Sequence, residues 1–512
     1  MATQIGLAET NATNGASRAD GLIAKKYLIV LAVMPSTIME VLDTSVVNVS
    51  LPHIGGSLGA SVSEATWVLT AYLIANAIVV PLGGWLSHRF GRRRLLLTIV
   101  TGFTVSSILC GLAPTLPLLV FFRILQGLTG GGLQPLSQSI LLQEFPVHER
   151  QRAMAIWALG VVLAPILGPT LGGWITDTLS WRWVFFINVP IGILSWVLIS
   201  YFIRDTKYSR DGKAASMDVI GISFLALGMA ALQAMLDKGE QEDWFGSHLI
   251  VTLAIIAAVF IPLFVIRELR APNPFVRLRL FADWNFRWGS CIGFLMYSSL
   301  FGGIILVPLF METVLGWTAG TTGIWTGPRG LGSLCGIILQ LSPWSKRLKG
   351  SRGIASIGFA VTGCLFIFGY AHMDMNAGPW NFFWLQFIQG FAVNITFLPM
   401  VTTMMSYIKA EDMPYASALY GSVRNIGSSV GISFVAIMLD RRNQFHQVRL
   451  GEQVLRQNIH CPIESHCMAL LYRDLLAQAN LMSLLDLFRI FGIVLIAISW
   501  VPLVIKRPPH DT

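Results

Sequence analysis

The stretch from Tyr27 to Val49 reads YLIVLAVMPSTIMEVLDTSVVNV and combines an apolar run of membrane length with two carboxylates. A helix of about 20 apolar residues spans the hydrocarbon core of a bilayer. Glu40 and Asp43 are three residues apart, so a helix places both on one face, which Thr44 and Asn48 continue. Ionisable groups are costly inside a membrane and mark functional sites by default. The stretch therefore predicts a membrane helix with one polar wall that accepts protons.

Composition extends this prediction to the whole chain. Of its 512 residues, 54% are hydrophobic and only 12% are charged, whereas soluble domains have about 25% charged residues. So little charge cannot cover a water-facing globule of this length, and we expect an all-α membrane protein. The net charge of +9 comes from short basic tracts between apolar runs. Such tracts fit the positive-inside rule and no nucleic-acid-binding module.

Apolar runs of membrane length recur about fourteen times along the chain. The first 26 residues lack the apolar core and cleavage site of a signal peptide, so we expect the first span to be retained. The predicted spans are 27–49, 65–86, 95–113, 117–142, 152–176, 183–203, 217–237, 248–267, 288–311, 320–342, 353–372, 379–407, 414–438 and 485–505.

Basic residues fall mainly in alternate loops between these spans. With a cytoplasmic N-terminus, every even-numbered loop carries Lys or Arg, whereas most short odd-numbered loops carry neither; Arg182 and Lys238 are exceptions. Gaining or losing one span would invert all later loops. Both termini are therefore predicted to be cytoplasmic.

One odd-numbered loop, about 439–484, is long and contains five arginines. Leucines at helical spacing predict that it is a partly helical extracytoplasmic insertion. His460, Cys461, His466 and Cys467 lie within it and leave three alternatives open. These are a Cys461–Cys467 disulfide in an oxidising compartment, a zinc site and two unpaired cysteines. The disulfide is favoured, and we expect no metal or other cofactor.

Signatures of ATP-driven pumps and hydrolases are missing from the sequence. Gly212-Lys213 is followed by Ala214 and lacks the upstream glycine of a phosphate-binding loop. Neither HExxH nor GxSxG occurs. A receptor or an intramembrane enzyme would need a signalling domain or a nucleophile–base pair, and the sequence offers neither. The chain is therefore not expected to be an enzyme.

Glycines and arginines cluster at 84–93, which reads GWLSHRFGRR between spans two and three. The glycines allow helices to approach closely, and the arginines suit helix C-termini or lipid headgroups. This loop resembles the equivalent loop of the major facilitator superfamily, with His88 where the family usually has an acid. The resemblance assigns a role in conformational change to Gly84, Arg89, Gly91 and Arg92.

Span four contains Arg123-Ile124-Leu125-Gln126-Gly127. Taken alone, Arg123 is either snorkelling to the interface or a buried functional cation. In proton-coupled members of the superfamily, an arginine in this context is linked to proton movement. A guanidinium keeps its charge, so it would stabilise the charge of Asp43 or Glu40 if their spans pack side by side.

Span five contains the run 160–173, GVVLAPILGPTLGG. Proline bends a helix and glycine permits tight packing, so the residues alone predict a kinked packing helix. The run resembles the antiporter motif of drug exporters within the superfamily. Its motif positions are Gly160, Gly168, Pro169, Gly172 and Gly173.

Further segments at 42–52, 236–245, 273–276 and 424–427 resemble the EmrB/QacA branch of drug:proton antiporters. The resemblance implies two six-helix halves with two extra central helices. It divides the chain into a cytoplasmic tail 1–26, a first half 27–203, an insertion 204–287, a second half 288–505 that includes loop 439–484, and a tail 506–512.

The same resemblance implies a proton-coupled antiporter that exports hydrophobic drugs or toxic small molecules across the cytoplasmic (inner) membrane. It implies a periplasmic adaptor and an outer-membrane channel as partners, beside the lipid bilayer. An exporter dedicated to one endogenous metabolite, such as a siderophore or an antibiotic, fits the motifs equally. The predicted proton-coupling residues are Glu40, Asp43 and Arg123, and the predicted substrate-cavity residues are Asn48, Gln126 and Gln134.

Two further arginines, Arg329 and Arg424, lie inside predicted spans. Each faces an aqueous cavity, pairs with a carboxylate, or marks a misplaced span boundary. The sequence leaves these three interpretations open.

Overall fold

The computed structural model describes residues 2–205, 218–272, 274–342, 352–456 and 465–506, and its regular elements in these ranges are helices. The prediction of an all-α protein is therefore confirmed. The α-helices are α1 (Ala2–Ser57), α2 (Val62–Ala65), α3 (Trp67–Val79), α4 (Gly83–Phe90), α5 (Arg92–Leu112), α6 (Leu116–Gly130), α7 (Leu133–Glu144), α8 (Val147–Thr178), α9 (Trp183–Phe186), α10 (Asn188–Phe202), α11 (Val219–Lys238), α12 (His248–Arg270), α13 (Trp284–Thr313), α14 (Ala319–Thr326), α15 (Pro328–Leu341), α16 (Arg352–Cys364), α17 (Pro379–Met404), α18 (Met413–Arg456) and α19 (Ser465–Ile498).

Twelve helical segments in the described ranges are long and apolar enough to cross a membrane, against about fourteen predicted. The predicted spans 152–176 and 320–342 are not among these twelve. The first lies in α8, a continuous helix of 32 residues whose described side chains include the apolar stretch Arg152–Ala164. The second is split into α14 and α15 at Gly327-Pro328, because proline supplies no amide hydrogen for a continuous helix. The count of fourteen is thus not confirmed, although the multi-pass architecture is.

The chain forms two compact units. Unit 1 comprises Met1–Ser216 and Lys409–Ala418. Within it α1 packs against α8 and α10, α3 packs against α6, and α5 packs against α6 and α10. The α1 side chains of Leu42, Val46 and Val47 lie in an apolar core of this unit. The helix that carries both acids is therefore packed on several sides.

Unit 2 comprises Met217–Ile408 and Leu419–Thr512. Within it α15 packs against α17, α11 against α12, α16 against α17 and α19, and α13 against α19. Leu306, Phe310, Phe366 and Phe488 belong to its apolar core. The predicted division into two halves and a two-helix insertion stays a prediction.

Short-range chemistry explains several helix ends. Asp218 begins α11 by accepting a hydrogen bond from the amide of Gly221 at 3.1 Å, and Asp283 begins α13 through the amide of Phe286 at 2.8 Å. Both are side-chain caps of unpaired first-turn amides. Gly91 separates α4 from α5 with a φ of 82°, a conformation that glycine adopts without strain.

The stretch 439–484 is largely helical, as the leucine spacing predicts, because α18 and α19 continue into it. The 44 residues of α18 extend about 66 Å at 1.5 Å per residue, which exceeds the thickness of a bilayer core. His460 and Cys461 lie outside the described residues, as do the side chains of His466 and Cys467. The disulfide, the zinc site and the unpaired cysteines therefore stay predictions.

Candidate functional site

Asp43 accepts three hydrogen bonds in the interior of unit 1. Its side chain and that of Arg123 are both 0% exposed, and Arg123 Nη1 donates to Asp43 Oδ2 at 2.5 Å. Gln126 Nε2 and Asn188 Nδ2 donate to Asp43 Oδ1 at 2.9 and 2.7 Å. An ionised carboxylate only accepts hydrogen bonds, so these three donors match the charged form of Asp43.

Arg123 is held by contacts beyond the carboxylate. Its Nε donates to the carbonyl oxygen of Val68 at 3.0 Å, and its Nη1 also donates to Gln126 Oε1 at 2.8 Å. Its Cζ lies 4.2 Å from the ring centre of Tyr72 and 5.8 Å from that of Phe185, where cation–π attraction operates. Arg123 is thus buried and does not snorkel to an interface.

The Asp43 network joins four helices of unit 1. Asp43 belongs to α1, Arg123 to α6 and Asn188 to the first position of α10. Asn188 Nδ2 also donates to Ser107 Oγ on α5 at 3.0 Å, and Ser107 Oγ donates to the carbonyl oxygen of Phe185 at 2.8 Å. A change in the charge of Asp43 would therefore alter the contacts of all four helices.

Burial sets the energetic importance of the Asp43–Arg123 pair. Removing one partner of a buried ion pair costs about 3–5 kcal/mol, because the other charge is left uncompensated. Within the described part of the chain, Arg123 Nη2 and Asn188 Oδ1 are buried without a hydrogen-bond partner. Incompletely satisfied polar networks are more easily rearranged than saturated ones. The site combines a strong pair with neighbours that can change partners.

Glu40 lies one turn before Asp43 in a different environment. Its residue is 7% exposed. Asn76 Nδ2 donates to Glu40 Oε1 and the backbone amide of Gln134 donates to Glu40 Oε2, each at 3.2 Å. Both of these donors are neutral, whereas Asp43 accepts from a guanidinium. Two acids on one helix face thus have different electrostatic partners.

The structure brings most of the predicted coupling and cavity residues together, with one exception. Gln126 joins the Asp43 network, and Gln134 reaches Glu40 through its backbone amide. Asn48 is exposed on α1 and lies outside both sets of contacts. Sequence reasoning missed Asn188 and Asn76, although each is a polar residue inside an apolar run.

The motif at 84–93 lies at the junction of α4 and α5 in unit 1. Arg92 is 6% exposed, forms an ion pair with Glu144 at the end of α7, and donates from Nε to the carbonyl oxygen of Arg204 at 2.8 Å. A Cβ at Gly84 would lie 2.6 Å from Cα of Tyr415. Arg89 is exposed, with its Cζ 5.9 Å from the ring centre of Trp85.

Three of the four motif glycines of α8 face α1. A Cβ at Gly168 would collide with Ser45 Oγ, one at Gly172 would lie 3.0 Å from the carbonyl oxygen of Val46, and one at Gly160 would lie 2.8 Å from Cγ1 of Ile38. These glycines therefore allow α8 to approach the helix of the acids.

One motif position in α8 does not contribute to this contact: a Cβ at Gly173 would meet nothing within 4 Å. The side chain of Pro169 lies outside the described residues, so its predicted role stays a prediction. Helix α8 is a single segment of 32 residues.

Unit 2 contains a different buried cluster around Arg329, in the first turn of α15. Arg329 Nε donates to Gln386 Oε1 at 2.7 Å, and Tyr370 donates to Gln389 Oε1 at 3.1 Å. Among the described residues, no carboxylate lies within 4.0 Å of Arg329. The other intramembrane arginine, Arg424, has its Cζ 5.6 Å from the ring centre of Tyr297.

Metal chemistry has no candidate site within the described ranges. They contain no group of three or more His, Cys, Asp and Glu side chains that could hold a metal ion. The arrangement in unit 1 places a carboxylate, a permanent cation and neutral amides in one buried space, and ionisable groups at such positions in membrane proteins commonly mark functional sites.

Comparison with known proteins identifies the family. The model of the Major Facilitator Superfamily matches residues 33–432. The chain belongs to the major facilitator superfamily. Members of this superfamily are membrane transporters, and the resemblance to its EmrB branch is confirmed by two relatives. Multidrug export protein EmrB of Haemophilus influenzae is 40% identical over 430 residues, which are 83% of each chain. Fatty acid resistance protein FarB of Neisseria gonorrhoeae is 39% identical over 437 residues, again 83% of each chain.

A solved structure supports the fold. The human organic anion transporter MFSD10 (TETRAN) matches with a TM-score of 0.60 at 15% identity, covering 92% of this chain and 99% of its own. At this identity the similarity concerns the fold alone. The chain is thus an EmrB-like transporter with a major facilitator fold.

Proposed function

We propose that this transporter is a proton-coupled antiporter that exports hydrophobic drugs or toxic small molecules across the cytoplasmic membrane. The observation that carries the proposal is the fully buried Asp43–Arg123 pair, because its acid can exchange charge with a proton inside the membrane. The names of the relatives, a multidrug export protein and a fatty acid resistance protein, support hydrophobic solutes as cargo.

The proposed cycle uses the charge of Asp43 as the switch. A proton that reaches Asp43 removes its charge and leaves Arg123 without its counter-ion, which destabilises the arrangement of α1, α6 and α10. A second arrangement is then favoured, and loss of the proton on the other side restores the first. For antiport the solute must move the opposite way: it binds from the cytoplasm in the second arrangement as the proton leaves, and it is displaced to the outside in the first arrangement when the next proton arrives.

The proton gradient supplies enough free energy for such a cycle. Moving one charge across 100 mV releases about 2.3 kcal/mol, which supports roughly a fortyfold gradient of a neutral solute. Glu40 is the second candidate for the exchanging acid, because it lies one turn from Asp43 and accepts from neutral donors.

Transport by purified protein in proteoliposomes tests the proposal. An imposed pH gradient should drive uptake of a fluorescent hydrophobic compound by the wild type. Asp43→Asn should abolish this driven uptake and retain gradient-independent exchange of the compound across the membrane. The matched control is Asp177→Asn, because Asp177 is an exposed acid of the same unit, with a side chain 71% exposed, and it should transport normally.

Two outcomes redirect or reject the proposal. Normal driven uptake by Asp43→Asn, together with loss of uptake in Glu40→Gln, would transfer the coupling role to Glu40. Uptake by the wild type that ignores the pH gradient would reject proton coupling. A panel of unrelated compounds would then separate broad drug export from a dedicated exporter of one metabolite.

We also propose that the transporter works as the inner-membrane part of a three-component pump, with both termini in the cytoplasm. The long extensions of α18 and α19 support an adaptor-binding role, because they expose apolar side chains at Phe445, Val448 and Tyr472. The double variant Val448→Asp/Tyr472→Asp should lose co-purification with a periplasmic adaptor and keep transport in proteoliposomes. Unchanged co-purification would contradict this role.

A further inference from the structure

The Arg329 cluster of unit 2 consists of donors that lack acceptors. Arg329 Nη2, Gln386 Nε2 and Gln389 Nε2 are all buried without a hydrogen-bond partner in the described structure. The side chains of Gln386 and Gln389 are 0% exposed. All three groups carry N–H bonds, and one of them belongs to a permanent cation. The cluster therefore lacks an acceptor, and preferably an anionic one.

The cluster is contiguous because its members are linked to one another. Arg329 Nε donates to Gln386 Oε1 at 2.7 Å. Gln389 lies one turn further along α17, on the same helix face, and accepts from Tyr370 at 3.1 Å. Gln386 and Gln389 thus use their oxygens within the protein and keep their amide hydrogens available.

The position of the cluster is fixed by close packing of α15 and α17. A Cβ at Gly390 would collide with the carbonyl oxygen of Arg329, and one at Gly332 would collide with that of Phe387. Backbones this close leave little freedom to shift. The donors are therefore held in place before any ligand arrives, which reduces the entropic cost of binding.

The local chain geometry adds a second feature suited to anions. The interruption at Gly327-Pro328 makes Arg329 a first-turn residue of α15, a helix of 14 residues. The amino end of a helix carries partial positive charge, and interrupted helices present such ends to ligands in transporters. Arg329 as a whole residue remains partly exposed, whereas its Nη2 is buried.

Apolar surface adjoins these donors. Gln389 borders a cavity of about 20 Å³ that Phe359, Phe366 and Val393 help to line. Trp325, one turn before Arg329, packs with its ring centre 5.7 Å from that of Trp380. The cavity itself has room for about one water molecule, so a larger ligand would have to displace the apolar side chains that line it.

We propose that Arg329, Gln386 and Gln389 form a binding site for the carboxylate of an amphiphilic organic anion carried by this transporter. The inference rests on the proposed export function and narrows its substrate class. A carboxylate offers two oxygens with about four acceptor positions, which matches a guanidinium nitrogen and two amides. Binding supplies the counter-ion that Arg329 lacks among the described residues.

Direct binding to the purified full-length protein in nanodiscs tests the site. The probe is 8-bromooctanoate, whose bromine quenches tryptophan fluorescence, and its neutral counterpart is 8-bromooctanol. Hydrogen bonds to charged groups are worth about 1.5–3 kcal/mol, so the wild type should bind the carboxylate at least about tenfold more tightly than the alcohol. Arg329→Gln should reduce this preference to about one and leave alcohol binding unchanged.

Two further variants keep the test decisive if Arg329→Gln does not fold. Arg329→Lys keeps the charge and loses the planar fork, so part of the preference should remain. Gln389→Leu removes one buried donor and should lower the preference severalfold. The matched control is Arg279→Gln, which removes an exposed arginine of the same unit and should bind both probes as the wild type does.

The results that would overturn the site are distinct from those that would overturn export. Equal binding of the two probes by the wild type, or an undiminished preference in both Arg329→Lys and Gln389→Leu, rejects the carboxylate site. Competition by phosphate or chloride alone, without a preference for the carboxylate probe, indicates a small-anion site and also rejects it. Because binding is measured without a proton gradient, failure of driven transport leaves these results interpretable.

Discussion

Each of the two units contains an arginine whose Nη2 atom is buried, and the two arginines have different partners. In unit 1, Arg123 faces Asp43 at 2.5 Å within a network that is closed to solvent. In unit 2, Arg329 donates to a neutral amide, and its Nη2 has no hydrogen-bond partner among the described residues. Under the two proposals above, the compensated charge in unit 1 takes part in proton exchange and the charge in unit 2 binds an anion. The same residue type would then serve coupling in one unit and recognition in the other.

The largest expected difference between the two arginines is the loss of unfolding free energy when each is replaced by glutamine. Arg123→Gln should lower the free energy of unfolding by about 3–5 kcal/mol, because Asp43 is left buried without its cation. Arg329→Gln should change it by less than about 1 kcal/mol, since no carboxylate is left behind. Thermal and denaturant unfolding of the two variants in the same detergent measures this contrast. Equal losses of unfolding free energy would contradict the difference between the two arginines.

Removal of a neutral donor to Asp43 should have the next largest effect. Asn188→Ala deletes a 2.7 Å hydrogen bond to the carboxylate, and such bonds are worth about 1.5–3 kcal/mol. The control is Asn48→Ala, which removes an exposed amide from α1 and should stay within about 0.5 kcal/mol of the wild type. Unfolding curves in detergent measure the change in stability of both variants. Similar values for the two variants would show that the network does not depend on Asn188.

Close packing of α8 on α1 gives a third test in unit 1. Gly168→Ala places a methyl group against Ser45 and should cost about 1–3 kcal/mol by overpacking. Gly173→Ala meets open space and should be neutral or stabilising, since alanine favours helices by up to about 1 kcal/mol. The melting temperatures of the purified variants measure both effects. A Gly168→Ala variant as stable as the wild type would show that the packing of α8 on α1 does not require glycine at this position.

The smallest effect concerns an exposed ion pair of unit 2. The hydrogen bond from Arg267 holds the pKa of Asp218 below its ordinary value. A depressed pKa stabilises the fold above the unfolded value of about 3.9, and this contribution is lost as the pH falls through the folded pKa. Asp218→Asn keeps the helix cap and should lose about 0.5–1 kcal/mol at pH 6.

Unfolding of the Asp218→Asn variant at two pH values completes this test. The difference from the wild type should shrink as the pH falls below the unfolded value of about 3.9, because the unfolded carboxylate is protonated first and the folded one only at lower pH. A difference that is the same at both pH values would contradict the assigned role of the charge. The result also contrasts a surface pair with the buried pair of unit 1, whose removal should cost several times more.

Much of the fold was predictable because a bilayer constrains the chain strongly. Length and apolarity placed helices at every predicted span, and Glu40, Asp43 and Arg123 stood out as ionisable residues within them. The count differed because hydropathy does not report helix continuity: the break at Gly327-Pro328 leaves two short helices where one span was predicted.

The details of the site depended on packing that no periodicity encodes. Asn48 shares the helix face of Glu40 in the sequence and is exposed in the structure, because face assignment does not reveal which neighbours cover each turn. Asn188 joins Asp43 from a position 145 residues away. The donors around Arg329 that lack acceptors among the described residues also result from the packing of α15 against α17, which no sequence pattern shows.

Proton release on solute binding measures directly whether Asp43 exchanges its proton for the solute. Purified transporter in weakly buffered detergent, with a pH indicator dye, is mixed with a transported compound at a series of pH values. We expect the wild type to release about one proton per solute bound, because a single acid exchanges its proton for the solute. Asp43→Asn should bind the compound and release none. Equal proton release by Asp43→Asn and the wild type would contradict the assignment of proton exchange to the Asp43–Arg123 pair.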